Sequence, residues 1–102
     1  MPTATDPVYV IGHITVKDPD AWARYRAAVG ATVASWGGET LLRGQPFEVF
    51  AGPHAFSDVV VLRFPDAEAA RNWHESPAYQ ALVPLRQQAA DVVLVGFAAP
   101  SQ

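Results

Sequence analysis

No cysteine occurs in the 102-residue chain. Disulfides, thiolate nucleophiles and cysteine-ligated metals are therefore excluded. Charge is sparse: Asp and Glu outnumber Lys and Arg, the net charge is -3, and no run of basic residues exists. Nucleic-acid binding requires several phosphate-neutralising cations on one face, so no nucleic acid is expected as a partner. No apolar run is long enough to cross a bilayer, so no membrane is expected either. The first seven residues, Met1 to Pro7, have neither the basic start nor the apolar centre of a signal peptide. Residues 1–7 read as a disordered lead, and a cytoplasmic location is the expectation.

What is present suits a single small domain. Half of the residues are hydrophobic, which is enough for one core. A chain of this length still buries only about two-thirds of its unfolded surface, so dimerisation would add useful burial.

Val8 to Val16 (VYVIGHITV) is rich in β-branched and aromatic residues and reads as a strand. Asp18-Pro19-Asp20 then opens a helix. Asp18 can cap it, proline suits the first turn, and Asp20 complements the dipole. Trp22, Tyr25, Val29, Val33 and Trp36 follow at near-helical spacing to about Ser35, and Gly37-Gly38 ends the run. Glu39 to Arg43 and Phe47 to Ala51 read as two strand pieces. Gly44-Gln45-Pro46 separates them, so a bulge or bend near a sheet edge is expected.

Asp58 to Phe64 (DVVVLRF) is the most strand-like run in the chain. Asp66 repeats the capping signal before Ala67, and Ser76-Pro77 repeats it once more. The second helical region is expected in two pieces, Ala67 to Glu75 and Pro77 to Ala90, the latter kinked by Pro84. Val92 to Phe97 reads as the last strand, within a single domain over residues 8–97, and 98–102 as a tail. The order is strand, helix, strand, strand, helix, strand. That is the ferredoxin-like α+β arrangement, βαββαβ, a four-stranded antiparallel sheet with helices on one face. Its other face is left open.

Several segments together resemble the family called domain of unknown function 1330. They are DPDAWARYRAAV (Asp18 to Val29), LLRGQPFEVFAG (Leu41 to Gly52), VVVLRFPDAEAARNWHESPAYQAL (Val59 to Leu82), LRQQAAD (Leu85 to Asp91) and VLVG (Val93 to Gly96). The specific features are Arg43-Gly44, Phe64-Pro65, Trp73, Ser76-Pro77-x-Tyr79 and Arg86-x-x-Ala89-Ala90. The resemblance implies a dimeric α/β barrel, in which two ferredoxin-like units set their sheets face to face around a central space. The wider superfamily is similar in shape to cofactor-free antibiotic-biosynthesis monooxygenases, haem-degrading monooxygenases and muconolactone isomerases. The family itself implies a fold and an assembly, not a reaction.

Strand alternation sorts the candidate residues. Val60, Leu62 and Phe64 should meet the helices, and Val59, Val61 and Arg63 a partner subunit. Val8, Val10, Gly12, Ile14 and Val16 likewise separate from Tyr9, Ile11, His13 and Thr15. His13 and Arg63 are thus expected to look into one enclosed space, joined by Glu48 and Arg43. One reading makes these four the polar lining of a small-molecule pocket, with His13 as acid or base, since histidine exchanges protons near neutral pH. The other makes them an interface network that holds a homodimer together through the open sheet face.

Trp73 and Tyr79 are candidates for an aromatic slot opened by the Ser76-Pro77 break, with Arg86 as an anion contact. The alternative is that the aromatics are core. His54 is expected to be solvated in its turn. The three histidines have no metal-like spacing, so no metal or cofactor is expected. No G-x-S-x-G elbow and no phosphate loop occurs. Two functions stay open: a homodimer that binds or transforms a small organic molecule by cofactor-free proton transfer or oxygenation, or a non-catalytic dimeric module.

Overall fold

The computed structural model describes residues 6–99. Apart from Asp6 and Pro7, the expected lead lies outside those residues, as does the tail from Pro100 onward. The elements are β1 (Val8–Val16), α1 (Pro19–Ala34), β2 (Glu39–Gly44), β3 (Asp58–Phe64), α2 (Ala67–Glu75), α3 (Pro77–Gln80), α4 (Val83–Ala89) and β4 (Ala90–Ala98). The sheet is antiparallel throughout, in the order β2-β3-β1-β4. This is the expected α+β, ferredoxin-like arrangement.

Local signals account for the helix starts. The Asp18 side chain accepts from the Ala21 amide at 3.1 Å, and Asp66 accepts from the Ala69 amide at 2.7 Å. Ser76 does two jobs: its hydroxyl donates to the Trp73 carbonyl at 2.7 Å and accepts from the Tyr79 amide at 3.2 Å. It thereby closes α2 and opens α3 within one turn.

The core lies between the helices and one face of the sheet. Val8, Val10 and Ile14 of β1 are buried there, as are Val60, Leu62 and Phe64 of β3. Trp22, Tyr25, Val29 and Val33 of α1 pack over them. Gly12 interrupts the β1 series because a Cβ there would stand 2.9 Å from Val60 Cγ1. The opposite face carries no helix, and Val93, Val95 and Phe97 of β4 stand exposed on it.

Three expectations need correction. Phe47 to Ala51 is not a strand but part of the loop joining β2 to β3. The β2–β3 ladder ends at Gly44 opposite Val59, Pro46 cannot extend it, and the chain turns at Gly52 with φ 81°. The irregularity in β2 falls between Thr40 and Leu42 rather than at Gly44-Gln45-Pro46. Pro84 does not kink a helix running from Pro77 to Ala90. It sits in the first turn of α4, where an amide has no intrahelical partner, so the region is two helices with a break at Ala81-Leu82.

Candidate functional site

His13 lies at the centre of β1, opposite Val59 on β3 and Val93 on β4. Alternation turns it to the helix-free face. The end of the β2–β3 loop is stapled beside it. The Ser57 amide donates to the Ile14 carbonyl at 2.8 Å, and the Ser57 hydroxyl, whose single proton is shared with Asp58, lies 3.2 Å from the same carbonyl. These bonds hold His54 and Phe56 against His13. The His13 ring centroid is 5.9 Å from that of His54 and 5.4 Å from that of Phe56. His13 and His54 line a cleft of about 330 Å³ together with Gln45, Pro46, Glu48 and Val49.

The His13 Nδ1 atom is buried and has no hydrogen-bond partner among the described residues. A buried polar atom left unpaired costs about 1–3 kcal/mol, so native folds rarely keep one without a ligand, water or partner to satisfy it. Glu48 lines the same cleft and takes part in neither ion pair found among the described residues. An imidazole and a carboxylate that line one cleft are suited to moving a proton on a small bound molecule.

The other candidates are not gathered here. Arg63 shares the open face with His13 but stands opposite Tyr9, four positions farther along β1. At about 3.3 Å per residue that is about 13 Å away. Its guanidinium is already paired with Glu39 at 3.3 Å. Arg43 is on the other side of the sheet altogether. The irregularity after Thr40 makes Leu42 pair with Val61 and Arg43 with Val60, and Val60 faces the helices. One extra residue in a strand exchanges the faces of everything that follows it.

Trp73 and Tyr79 are 2% and 0% exposed, with ring centroids 4.4 Å apart, so their own contact fills the slot expected between them. Their polar atoms are satisfied internally. The Trp73 indole donates to Thr32 Oγ1 at 3.1 Å. The Tyr79 hydroxyl is hydrogen-bonded to the Tyr25 hydroxyl at 2.9 Å and accepts from Arg86 at 2.8 Å. Burial first, and the Tyr79 neighbour next, hold the Tyr25 proton on well above the ordinary tyrosine range. Trp73, Tyr79 and Arg86 therefore belong to the packing of α1 against α2–α4. Among the described residues, no cluster of three His, Asp or Glu side chains is placed to hold a metal ion. No helix among them is long and apolar enough to cross a membrane.

The model of the family described as domain of unknown function (DUF1330) matches residues 7–98. The chain belongs to the DUF1330 family.

Solved structures with this DUF1330 fold differ widely in sequence. A protein of unknown function from Rhodopseudomonas palustris, RPA0582, aligns with a TM-score of 0.81 at 20% identity, over 96% of this chain and 85% of its own. SnoaB, a cofactor-independent oxygenase from Streptomyces nogalater, aligns with a TM-score of 0.69 at 18% identity, over 95% and 96% of the two chains. A dimeric ferredoxin-like protein of unknown function from Jannaschia sp. CCS1 aligns with a TM-score of 0.72 at 12% identity, over 89% and 97%. At such identities the likeness is one of fold. A comparison with curated proteins finds no match.

Sequence reasoning left His54 and Phe56 out of the candidate site. His54 is exposed, as a turn residue should be, yet its ring meets the edge of His13. The available signal was the aromatic and imidazole spacing of His54-x-Phe56 immediately before β3. Its meaning depends on the loop folding back over β1.

Proposed function

We propose that this DUF1330 chain is a homodimer whose two open sheet faces close over a small organic molecule, on which His13 moves a proton without a cofactor. The observation that carries the reading is the His13 side chain, which lines a cleft with Glu48 and His54 and whose buried Nδ1 has no partner among the described residues. A ligand in the cleft would meet the His13 imidazole, and Glu48 would exchange the proton or orient the imidazole. His54, exposed beside His13, would donate a hydrogen bond to negative charge that develops on the ligand.

The likeness in fold to a cofactor-independent oxygenase fits chemistry that begins with proton abstraction. Dimerisation is supported by the exposed apolar row on β4, by Leu42 on β2, and by the dimeric state of a ferredoxin-like relative. The Arg63–Glu39 pair favours a second reading, a non-catalytic dimer, because it satisfies open-face charges within one copy.

A thermal-shift screen with aromatic acids, quinols, lactones and haem tests the proposal, since a saturating ligand raises stability. The expected result is a stabilising compound that His13→Ala no longer recognises while the dimer persists. Loss of the dimer in that variant with ligand response intact would favour the structural reading.

A further inference from the structure

A second cleft lies across the sheet from His13. Because of the irregularity in β2, Arg43 emerges on the helix side, where it meets Arg26 of α1 across a cleft of about 230 Å³. Ile14, Trp22, Gly44, Gln45, Asp58 and Val59 complete its lining. The Trp22 ring is stacked on Tyr25 with centroids 5.2 Å apart and planes 19° from parallel, which makes it a fixed apolar wall.

Neither Arg26 nor Arg43 belongs to an ion pair among the described residues, whereas Lys17 pairs with Asp91 and Arg63 with Glu39. Two like charges brought together, one of them half-buried, repel and are costly to desolvate. Burial first, and the Arg26 charge next, hold Arg43 below the usual guanidinium range. The Asp58 carboxylate accepts from the Ser57 hydroxyl at 2.7 Å and supplies one negative charge. Two guanidinium groups and one carboxylate leave a single positive charge uncompensated in the cleft.

We propose that the cleft between α1 and the end of β2 binds the carboxylate of a small organic acid, held by Arg26 and Arg43 with its apolar body against Trp22. Guanidinium groups match a carboxylate in planar, paired hydrogen bonds. One carboxylate neutralises the cleft. A phosphate dianion would leave it negative beside Asp58. The cleft borders the His13 cleft at Gln45 and Val59, but Arg26, Arg43 and Trp22 line only this one, so the proposal stands or falls independently of His13.

The test is titration with benzoate, followed by calorimetry and by amide NMR. Benzoate is expected to bind saturably and to shift the signals of Arg43, Gly44 and the Trp22 indole. Benzamide, its neutral counterpart, is expected not to bind, and inorganic phosphate to bind more weakly. Arg26 is exposed on its helix, so Arg26→Glu should fold normally and weaken benzoate by about tenfold or more. Arg43→Gln should do the same, while His13→Ala leaves benzoate affinity unchanged. Equal benzoate affinity in Arg26→Glu and in the unaltered chain would overturn the site, as would equal binding of benzamide or no binding at millimolar benzoate. Phosphate binding more tightly than benzoate would overturn the choice of carboxylate.

Discussion

Replacing Val95 by glutamate should break the proposed dimer without unfolding the subunit. Val95 stands on β4 opposite Ile11, on the helix-free face, and is 39% exposed in a single copy. Fully burying a valine side chain is worth about 1.5–3 kcal/mol, so covering the exposed part is worth about 0.6–1.2 kcal/mol. A twofold contact doubles this to about 1–2.5 kcal/mol, because each substitution occurs in both copies. The glutamate carboxylates must also be desolvated, at a cost of at least about 1 kcal/mol each. The sum raises the dimer dissociation constant by about a hundredfold or more.

Sedimentation equilibrium across a concentration series measures this directly. Far-UV circular dichroism should stay unchanged, since the Val95 side chain lies outside the core and its strand keeps its ladder to β1. Val95→Thr, which loses apolar area without adding charge, should fall between the two. An unaltered chain that sediments as one subunit at micromolar concentration would refute the reasoning. So would a Val95→Glu dimer as tight as the original.

The remaining expectations concern the subunit itself. Tyr79→Phe removes the partner of both the Tyr25 hydroxyl and Arg86, and should cost about 1–3 kcal/mol in urea denaturation; an unchanged midpoint would show that the hydroxyl network adds nothing. Gly38→Ala would bring a Cβ to 2.6 Å from Phe64 and 2.7 Å from Val33, both buried, and should destabilise by about 1–3 kcal/mol. A wild-type melting temperature in that variant would contradict the tight approach of the α1–β2 turn to β3.

The pH dependence follows from Tyr25, whose folded-state pKa is raised. The folded chain keeps a proton that the unfolded chain loses near pH 10. The stabilisation is thus complete below about pH 10 and is lost as pH rises beyond it, at up to about 1.4 kcal/mol per pH unit. Tyr25→Phe should flatten that alkaline decline. Parallel alkaline declines in the two proteins would rule out this cause.

Much of the architecture was legible in the sequence. The alternation of Val8, Val10 and Ile14, and of Val60, Leu62 and Phe64, assigned the core face correctly. Asp18, Asp66 and Ser76 marked three helix starts correctly. The candidate site was legible only in part. His13 and Glu48 do line one cleft. Arg43 and Arg63 do not join them, and Trp73, Tyr79 and Arg86 lie in the helix packing.

The division has a physical cause. Capping and alternation are interactions between residues a few positions apart, so the amino-acid order alone settles them. Whether β2 takes one extra residue before Leu42 depends on how it registers against β3, and that decision alone sends Arg43 to one face rather than the other. The meeting of His54 and Phe56 with His13 depends on a loop whose end is tied to β1 by Ser57. Such contacts join segments far apart in the chain, and they exist only once the sheet has closed.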